Sequence, residues 1–411
     1  MNLFEELKWR GMVKDCSSTE LAEKHLVPGT KFYIGFDPTG SSLTCGHLVQ
    51  IVRIKLLEER GLIPICLIGG TTGAIGDPKP NGERHILSND VVKKNVEAIE
   101  KQVKKILKSD KVIFVNNSTW LSKLSIIEFL RDFGKNFGIN YMLEKDVIKR
   151  RLETGISYTE FSYLLLQSID FYHLYKNYDC KIQFGGSEQW GNITTGLELI
   201  RKLEGENDAL GLSSPLLLKA DGTKFGKSES GALWLDENLT SPYTLYQYFL
   251  NVGDKMIVEY LKLLTLLSVK EIEELEKSVL KEPEKRLAQT RLAEFVCEFV
   301  HGKAALQSAK KITDALFKGS VLELGEDEFK MLHSAFGKQK FTSESKLTDI
   351  LVSLSLAKSK REAREFIQAG SIYINGEKIT NVEQILTDLK PAFEKYFIVK
   401  RGKKQFSAFA I

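Results

Sequence analysis

Lys224 and Lys227 are the first side chains of this sequence whose type and spacing indicate chemistry. They lie three residues apart in "DGTKFGKSESG" (221–231), which also holds three glycines and the hydroxyl of Ser228. Nothing apolar recurs there with a helix or strand period, so we do not expect this segment to contribute to a core. Lysine ammonium groups on a flexible loop can donate charge-assisted hydrogen bonds to phosphate oxygens. A single pair of this kind is, however, equally typical of a solvated loop.

A second segment, "FDPTGSSLTCGHL" (36–48), has the composition of an anion-binding loop. It leads from a predicted strand into a helix that begins near His47. The free N–H groups and the positive dipole end of a helix start attract phosphate, and the hydroxyls of Thr39 and Thr44 add donors. Alone, the segment could be a polar loop that only caps a helix. Taken with the lysine pair, it predicts a nucleoside triphosphate site in which cations neutralise the departing pyrophosphate.

Alternating strands and helices position these two segments. "KFYIGF" (31–36) and "LIPICLIGG" (62–70) read as strands, with a helix over 47–60 between them, which makes a right-handed parallel βαβ unit. An amphipathic helix follows over 92–106, and further strands are predicted at 111–115, 181–186 and 215–220. We therefore expect a doubly wound α/β domain over residues 1–220, with its ligands at the carboxyl ends of the strands.

The rest of the chain divides into three further segments. We predict a mobile lysine loop and linker over 221–240, a helical domain over 241–335 and a small α+β domain over 342–411. In the last segment, Ser359 and Glu362 predict a capping box and Gly370 closes the helix that it opens. The pair Asn375-Gly376 predicts a type I′ hairpin turn.

Basic residues cluster around that predicted helix start, at Lys358, Lys360, Arg361 and Arg364. Residues 341–411 hold 12 Lys and Arg against 8 Asp and Glu, and this surplus equals the net charge of +4 of the whole chain. The asymmetry favours a nucleic-acid partner for the small domain, although a solvated basic face is the simpler alternative.

Composition excludes several other classes. The five cysteines form no Cys-x-x-Cys pair and no metal-ligand spacing, which favours a reducing cytosol over a disulfide framework. No apolar run reaches the length of about 18 residues that a membrane helix needs, and the N-terminal residues lack the apolar core of a cleavable signal. We expect a cytoplasmic protein without a membrane span.

Both signature segments resemble those of the class I aminoacyl-tRNA synthetases, "CGHL" the first and "KFGKS" the second. The segments "YIGFDPT", "GGTTGAIGDP", "GISYTEFSYLLLQSIDF" and "GGSEQWGNIT" narrow the likeness to bacterial-type tyrosyl-tRNA synthetases. The C-terminal segment resembles the small RNA-binding domain that these enzymes share with a ribosomal protein. The likeness extends, in order, over essentially the whole chain.

The resemblance implies a Rossmann-like catalytic domain, a helical domain and a small α+β RNA-binding domain. It implies ATP-dependent joining of L-tyrosine to its tRNA through tyrosyl-adenylate, with release of pyrophosphate and AMP. Mg²⁺ would accompany ATP, without a dedicated metal site or tightly bound cofactor in the protein. It also implies a homodimer, for whose interface residues 125–134 are a candidate.

The resemblance also assigns roles to individual residues. Those implied for the substrate tyrosine are Tyr33, Asp77, Tyr163, Gln167, Asp170 and Gln189, with Tyr33 and Asp170 at the phenol. Those implied for ATP or the adenylate are Gly35, Asp37, Thr44, Gly46, Gly186, Glu188 and Lys227. Those implied to act in catalysis are Thr39, His47, Lys224, Lys227 and Ser228, and the basic cluster is implied to bind tRNA.

Three positions depart from the family pattern. Thr44 stands where a histidine is usual, Glu188 replaces an aspartate, and Ile34 replaces a cysteine that contacts the ribose. Other functions also remain open: a nucleotidyltransferase with a related signature, a tryptophanyl-tRNA synthetase, or a non-catalytic RNA-binding protein on a synthetase scaffold. The length of the chain argues against the first, and the pairing of Tyr33 with Asp170 argues against the second.

Overall fold

The structure, a computed structural model, describes residues 1–78, 82, 86–153, 155–223, 225–228, 231–317, 320–402 and 405–411, without the side chains of residues 147, 227 and 228. The predicted Lys224 therefore lies outside the described residues. The chain forms two compact units. The first comprises Met1–Ala232 and Gly253–Lys281, and the second comprises Leu233–Val252 and Glu282–Ile411.

Twelve strands occur in the described part of the chain. They are β1 (Asp15–Cys16), β2 (Lys31–Phe36), β3 (Ile63–Ile68), β4 (Ile113–Asn116), β5 (Cys180–Gly186), β6 (Leu210–Ser214), β7 (Lys227–Ser228), β8 (Gly231–Ala232), β9 (Ile372–Ile374), β10 (Glu377–Ile379), β11 (Tyr396–Arg401) and β12 (Gln405–Ala410).

Nineteen α-helices connect and cover these strands in the same described ranges. They are α1 (Leu3–Trp9), α2 (Thr19–His25), α3 (Leu48–Glu59), α4 (Thr72–Ile75), α5 (Asn89–Leu107), α6 (Ser118–Leu121), α7 (Ile126–Glu128), α8 (Ile139–Leu143), α9 (Asp146–Leu152), α10 (Tyr158–Tyr178), α11 (Trp190–Glu204), α12 (Pro242–Leu250), α13 (Asp254–Leu264), α14 (Val269–Lys281), α15 (Leu287–His301), α16 (Lys303–Phe317), α17 (Glu326–Ala335), α18 (Leu347–Ser353) and α19 (Lys360–Gln368).

The sheet of the first unit confirms the predicted doubly wound architecture. Its strand order is β1-β6-β5-β2-β3-β4. Strands β2 to β6 are parallel, and β1 is an antiparallel edge strand that the sequence analysis did not predict. The chain runs from β2 outward through β3 to β4, and later strands lie on the other side of β2. The switch point between β2 and β5 is where such a sheet binds its ligands.

One predicted strand is wrong. Residues 215–220 are not a strand; the strand of this region is β6, which ends at Ser214. Pro215 follows at once, and proline cannot donate the backbone hydrogen bond that continues a central ladder. The apolar run "PLLL" is therefore an irregular segment, in which Leu216 and Leu218 are exposed.

The predicted helical stretch after residue 241 is confirmed by α12 to α17, and the small C-terminal fold is confirmed as α+β. Its antiparallel sheet has the order β10-β9-β11-β12. Asn375 and Gly376 both have positive φ (47° and 87°), as a type I′ turn requires, and they join β9 to β10. The core of this fold includes Leu347, Ile350 and Leu351 of α18.

The start of α19 differs from the predicted capping box in one bond. The Ser359 side chain accepts from the Glu362 N–H as predicted, at 3.2 Å. The Glu362 carboxylate, however, accepts from the N–H of Lys358, one residue earlier than in the usual reciprocal arrangement. No α-helix of the described chain is long and apolar enough to cross a membrane.

Candidate active site

A cavity of about 430 Å³ opens at the switch point, at the carboxyl ends of β2 and β5. Residues predicted for tyrosine and for ATP both line it. The predicted residues in its wall are Tyr33, Gly35, Asp37, Thr39, Thr44, Gly46, His47, Asp77, Tyr163, Gln167, Asp170, Gly186, Glu188 and Gln189. Residues as far apart in sequence as Tyr33 and Gln189 thus meet around one cavity.

Tyr33 and Asp170 lie at a buried part of the wall, each 2% exposed. The Tyr33 hydroxyl has no hydrogen-bond partner within the described residues. Asp170 accepts from Asn117 Nδ2 at 2.9 Å and from Trp120 Nε1 at 2.7 Å, one bond on each carboxylate oxygen. The Trp120 ring is stacked on His173 at 4.2 Å, which holds the indole N–H toward Asp170. A buried hydroxyl without a partner, beside an oriented carboxyl group, is an arrangement that a ligand hydroxyl can complete.

Burial sets the ionisation of this pair. It raises the pKa of Asp170 to about 8, against the lowering effect of the Asn117 and Trp120 hydrogen bonds. Burial also raises the pKa of Tyr33 well above its usual value, and the Asp170 charge adds to the effect. The pair therefore presents a neutral phenol and a carboxyl group that titrates close to physiological pH.

Asp37 connects the carboxyl end of β2 to the neighbouring helices. Its carboxylate accepts from the Tyr163 hydroxyl at 2.7 Å and from the Thr72 hydroxyl at 2.8 Å. A β-carbon on Gly69 would lie 2.2 Å from that carboxylate, so only glycine fits there. Burial raises the pKa of Tyr163 well above its usual value, and the nearby charge of Asp37 adds to this. Asp37 was predicted to bind ATP or the adenylate, and it also contacts Tyr163, which was predicted to bind the substrate tyrosine.

A second polar network borders the same cavity. Asp77 accepts from Gln189 Nε2 at 2.8 Å and from Asn192 Nδ2 at 3.1 Å. The Asn192 amide also donates to Gln167 Oε1 at 2.9 Å and to Gln189 Oε1 at 3.1 Å. One asparagine on α11 thus holds three predicted tyrosine-binding residues in a single arrangement, with acceptor oxygens that suit an ammonium group.

The first signature forms the turn that leads into α3. The Thr44 N–H and the Thr44 hydroxyl both lie 3.1 Å from His47 Nδ1. A backbone N–H can only donate, so Nδ1 is the acceptor and a neutral His47 carries its proton on Nε2. The imidazole lines the cavity beside Gly46 and Thr39. Ile34, where the family pattern has a cysteine, also lines the cavity and offers no hydrogen bond.

Glu188 lies over the end of β5. A β-carbon on Gly186 would be 2.3 Å from its carboxylate, which shows that the longer side chain folds back across the glycine. Both residues border the cavity. The carboxylate is a hydrogen-bond acceptor at this position, as the usual aspartate would be.

The second signature contacts the first through its backbone. Gly226 has a φ of +81°, and a β-carbon there would lie 3.0 Å from the Gly46 nitrogen and 3.3 Å from the Cys45 β-carbon. Lys227 and Ser228 follow directly, as β7. The expectation that this segment contributes nothing to a core is wrong at Phe225, which is 2% exposed and packs on Tyr260 at 5.0 Å. This ring fixes the loop where it enters the cavity.

The four basic residues predicted to bind tRNA are all exposed on the second unit. Lys360 pairs with Asp349 at 2.5 Å, and Arg361 pairs with Glu365 at 3.1 Å. These exposed pairs cost little to break, so the side chains stay available to a polyanion.

Sequence reasoning missed the residues that orient the predicted ones, namely Thr72, Asn117, Trp120 and Asn192. Thr72 follows the carboxyl end of β3, and Asn117 and Trp120 follow that of β4. Polar side chains at such positions indicate a ligand site, so the sequence could have shown these three residues. Asn192 lies three residues after Gln189 at the start of α11. This spacing predicts that the two side chains are neighbours on the helix, so Asn192 could also have been predicted from the sequence.

Known proteins resemble the chain over nearly its full length. Residues 28–318 match the family model of class I tRNA synthetases (W and Y), and residues 328–409 match that of the tyrosine–tRNA ligase SYY-like C-terminal domain. The tyrosine–tRNA ligase of Onion yellows phytoplasma is 50% identical over 407 residues, covering 98% of each chain. That of Bacillus velezensis is 48% identical over 415 residues, also covering 98% of each. Among solved structures, a C-terminally truncated mitochondrial tyrosyl-tRNA synthetase of Aspergillus nidulans superposes with a TM-score of 0.67 at 30% identity, over 76% of this chain and 93% of that one.

Proposed function

Because this chain belongs to the class I tRNA synthetases of the tryptophan and tyrosine type, we propose that it joins L-tyrosine to its tRNA in two steps. In the first step the tyrosine carboxylate attacks the α-phosphate of ATP, which gives tyrosyl-adenylate and pyrophosphate. In the second step the tyrosyl group passes to the terminal adenosine of the tRNA, and AMP leaves. The substrate carboxylate is the nucleophile, so no protein side chain needs that role.

The observation that carries this proposal is the Tyr33–Asp170 pair at the buried part of the cavity. The Tyr33 hydroxyl has no partner among the described residues, and the Asp170 carboxyl group is oriented by two N–H donors. A substrate phenol placed between them exchanges one hydrogen bond with each. Phenylalanine would leave these polar groups unpaired, and such a penalty gives strong discrimination without editing; the handling of phenylalanine by tyrosyl-tRNA synthetase is itself the standard example of the effect.

The remaining tyrosine groups have matching partners. The ammonium group is proposed to lie between Asp77, Tyr163 and Gln167, whose side chains the hydrogen bonds of Asn192 and Asp37 orient. The tyrosine carboxyl group is proposed to lie beside Gln189, whose amide is held by Asp77. This places the attacking oxygen toward the first signature.

ATP is proposed to occupy the part of the cavity formed by the two signatures. Its adenylate part borders Gly35, Asp37, His47 and Gly186, and Glu188 accepts from a ribose hydroxyl. Thr39, Lys224, Lys227 and Ser228 are proposed to bind the departing pyrophosphate, and Thr44 adds one hydroxyl donor. Contacts that strengthen as charge develops raise turnover rather than ground-state affinity. Mg²⁺ is proposed to enter bound to ATP.

Transfer to tRNA is proposed to use the basic cluster of the second unit. Lys358, Lys360, Arg361 and Arg364 are exposed, and their segment carries the net positive charge of the chain. Contacts of this kind bind phosphates rather than bases, so they supply affinity and orientation. Free thiols at all five cysteines support a cytoplasmic location.

A homodimer is proposed as the working form, with the segment 125–134 in its interface. Ile126 and Ile127 of this segment are 73% and 62% exposed, and Leu130 is 48% exposed. Adjacent exposed apolar side chains of this size mark an interaction surface. Replacing Ile126 and Ile127 with glutamate should give a monomer in sedimentation analysis, whereas glutamate at the exposed Leu280 should not. A chain that sediments as a monomer without any substitution contradicts the proposal.

The decisive experiment for the activity is the charging of tRNA with labelled amino acids. Charging with tyrosine and not with tryptophan is the expected result. Charging with tryptophan supports the tryptophanyl alternative, and binding of tRNA without any charging supports the non-catalytic one.

A further inference from the structure

Arg53 is a buried cation without a carboxylate partner in the described residues. It lies on α3, its side chain is fully buried, and neither Nε nor Nη2 has a hydrogen-bond partner within the described part of the chain. Burial lowers its pKa to about 10, so it remains charged at neutral pH. Arginine is almost never buried unpaired, because an uncompensated charge costs several kcal/mol.

The other two deeply buried arginines show how this fold usually treats such a charge. Arg10 binds the Glu6 carboxylate at 3.0 Å and donates to three backbone carbonyls. Arg151 binds the Glu160 carboxylate at 2.7 Å. Among the described residues Arg53 has no such compensation, and its position behind the cavity suggests a functional reason for keeping it.

Arg53 touches the wall of the cavity through two side chains. Its Nη1 donates to Gln50 Oε1 at 3.0 Å, and its guanidinium lies over the Phe184 ring at 5.3 Å. Both Gln50 and Phe184 line the cavity. The only polar path from the buried charge to the cavity that these contacts show therefore runs through Gln50.

The chemistry of the guanidinium fixes the orientation of the Gln50 amide. A guanidinium can only donate, so it holds the amide oxygen and leaves the NH₂ group for the cavity. Gln50 follows His47 by three residues and therefore neighbours it on the start of α3. The His47 imidazole lines the same part of the cavity. An amide NH₂ group backed by a buried positive charge suits the acceptor oxygens of an anion.

We propose that Arg53 is a positioning residue for ATP, which turns the Gln50 NH₂ group toward a ribose or phosphate oxygen of the nucleotide. This inference rests on the proposed ATP-dependent function. It also explains how the site can function with Thr44. Threonine cannot carry the positive charge of the histidine that is usual at that position. The buried Arg53 charge supplies positive potential behind the same helix start, where the low dielectric strengthens it.

The test compares Arg53→Met, Gln50→Leu and the double variant in the full-length protein. Thermal unfolding, calorimetric ATP binding and calorimetric tyrosine binding are measured for each. Methionine fills the buried space without a charge, so Arg53→Met should keep or raise the midpoint of unfolding. The same variant should weaken ATP binding about tenfold and leave tyrosine binding unchanged. Gln50→Leu should weaken ATP binding by a similar factor, and the double variant should bind ATP as Gln50→Leu does, because Arg53 acts through Gln50.

Three results would overturn the inference. A lower unfolding midpoint with equal losses of ATP and tyrosine binding would make Arg53 structural. Unchanged ATP binding in Arg53→Met would show that Arg53 has no role in ATP binding. Additive losses of ATP affinity in the double variant would show that Arg53 does not act through Gln50. If the unsubstituted protein binds ATP but exchanges no pyrophosphate with tyrosine, the proposed function fails, while the ATP affinities still decide the role of Arg53.

Discussion

Gly226 of the second signature lies against the backbone of Gly46 in the first, and a β-carbon on Gly226 would come within 3.0 Å of the Gly46 nitrogen. The two signatures are 180 residues apart in sequence, and this contact makes them parts of one wall. It places Lys227 one residue beyond the point of contact.

Gly226→Ala should therefore slow adenylate formation at least tenfold. Alanine at positive φ costs about 1 kcal/mol, and its β-carbon also pushes the two signatures apart. Gly222→Ala is the matched control, since Gly222 has a φ of +77° but open space around a β-carbon. Single-turnover measurement of the rate of tyrosyl-adenylate formation distinguishes the two variants. Equal rates in the two variants would show that the close contact does not matter.

Lys227→Ala should reduce the rate of adenylate formation by about 10² to 10³, the usual loss when a donor to a developing charge is removed. Tyrosine affinity should change little, because the lysine is proposed to act on pyrophosphate. Pre-steady-state kinetics and equilibrium tyrosine binding separate the two effects. Lys219→Ala is a control on a lysine of the same region that does not line the cavity. A large loss of tyrosine affinity would contradict the transition-state role.

The raised pKa of Asp170 predicts a pH-dependent stability difference. In the unfolded chain this carboxyl group loses its proton near pH 4, whereas in the folded chain it keeps it up to about pH 8. Between these values the folded state binds more protons, so this group makes the free energy of unfolding fall as pH rises. The asparagine of the Asp170→Asn variant cannot titrate, so this contribution to the fall in the free energy of unfolding should be absent. The unfolding midpoint of the variant minus that of the unsubstituted protein should therefore increase from pH 5 to pH 8. A difference that does not change with pH would show that burial does not raise the pKa of Asp170.

Neutralising the basic cluster of the second unit should separate the two reaction steps. Glutamine at Lys358, Lys360, Arg361 and Arg364 should raise the KM for tRNA and make tRNA binding less sensitive to salt, because fewer counterions are released. Pyrophosphate exchange should not change. Glutamine at Lys390 and Lys395 in the same segment serves as the control. A loss of exchange in the cluster variant would show that these residues support the fold instead.

The sequence predicts most of this architecture because its signals are local. Apolar runs such as 62–70 and the alternation of strands with helices suffice to predict a doubly wound sheet. The predicted strand at 215–220 was wrong because the strand of this region ends at Ser214, before Pro215, and the apolar run after it resembles a strand in composition alone. Phe225 was missed because a single buried ring in a polar loop has no periodicity.

The candidate site was predictable only as a set of residues, not as a network. Asn117 and Trp120, after β4, bond to Asp170 of α10, and Thr72, after β3, bonds to Asp37, after β2. These partners come together only through the order of the strands and the packing of α10. Arg53 could not be predicted for a related reason, since the sequence of an apolar helix does not indicate whether its one arginine has a carboxylate partner in the fold.

Tyrosine-dependent exchange of pyrophosphate into ATP, compared with exchange in the presence of phenylalanine, is the most direct test of tyrosine activation at this site. We expect rapid exchange with tyrosine and very slow exchange with phenylalanine. The Tyr33→Phe variant should lower the ratio of the exchange rate with tyrosine to that with phenylalanine by up to about tenfold. This factor corresponds to the net free energy of one hydrogen bond. No exchange with tyrosine, or equal exchange with both amino acids in the unsubstituted protein, would contradict tyrosine activation at this site.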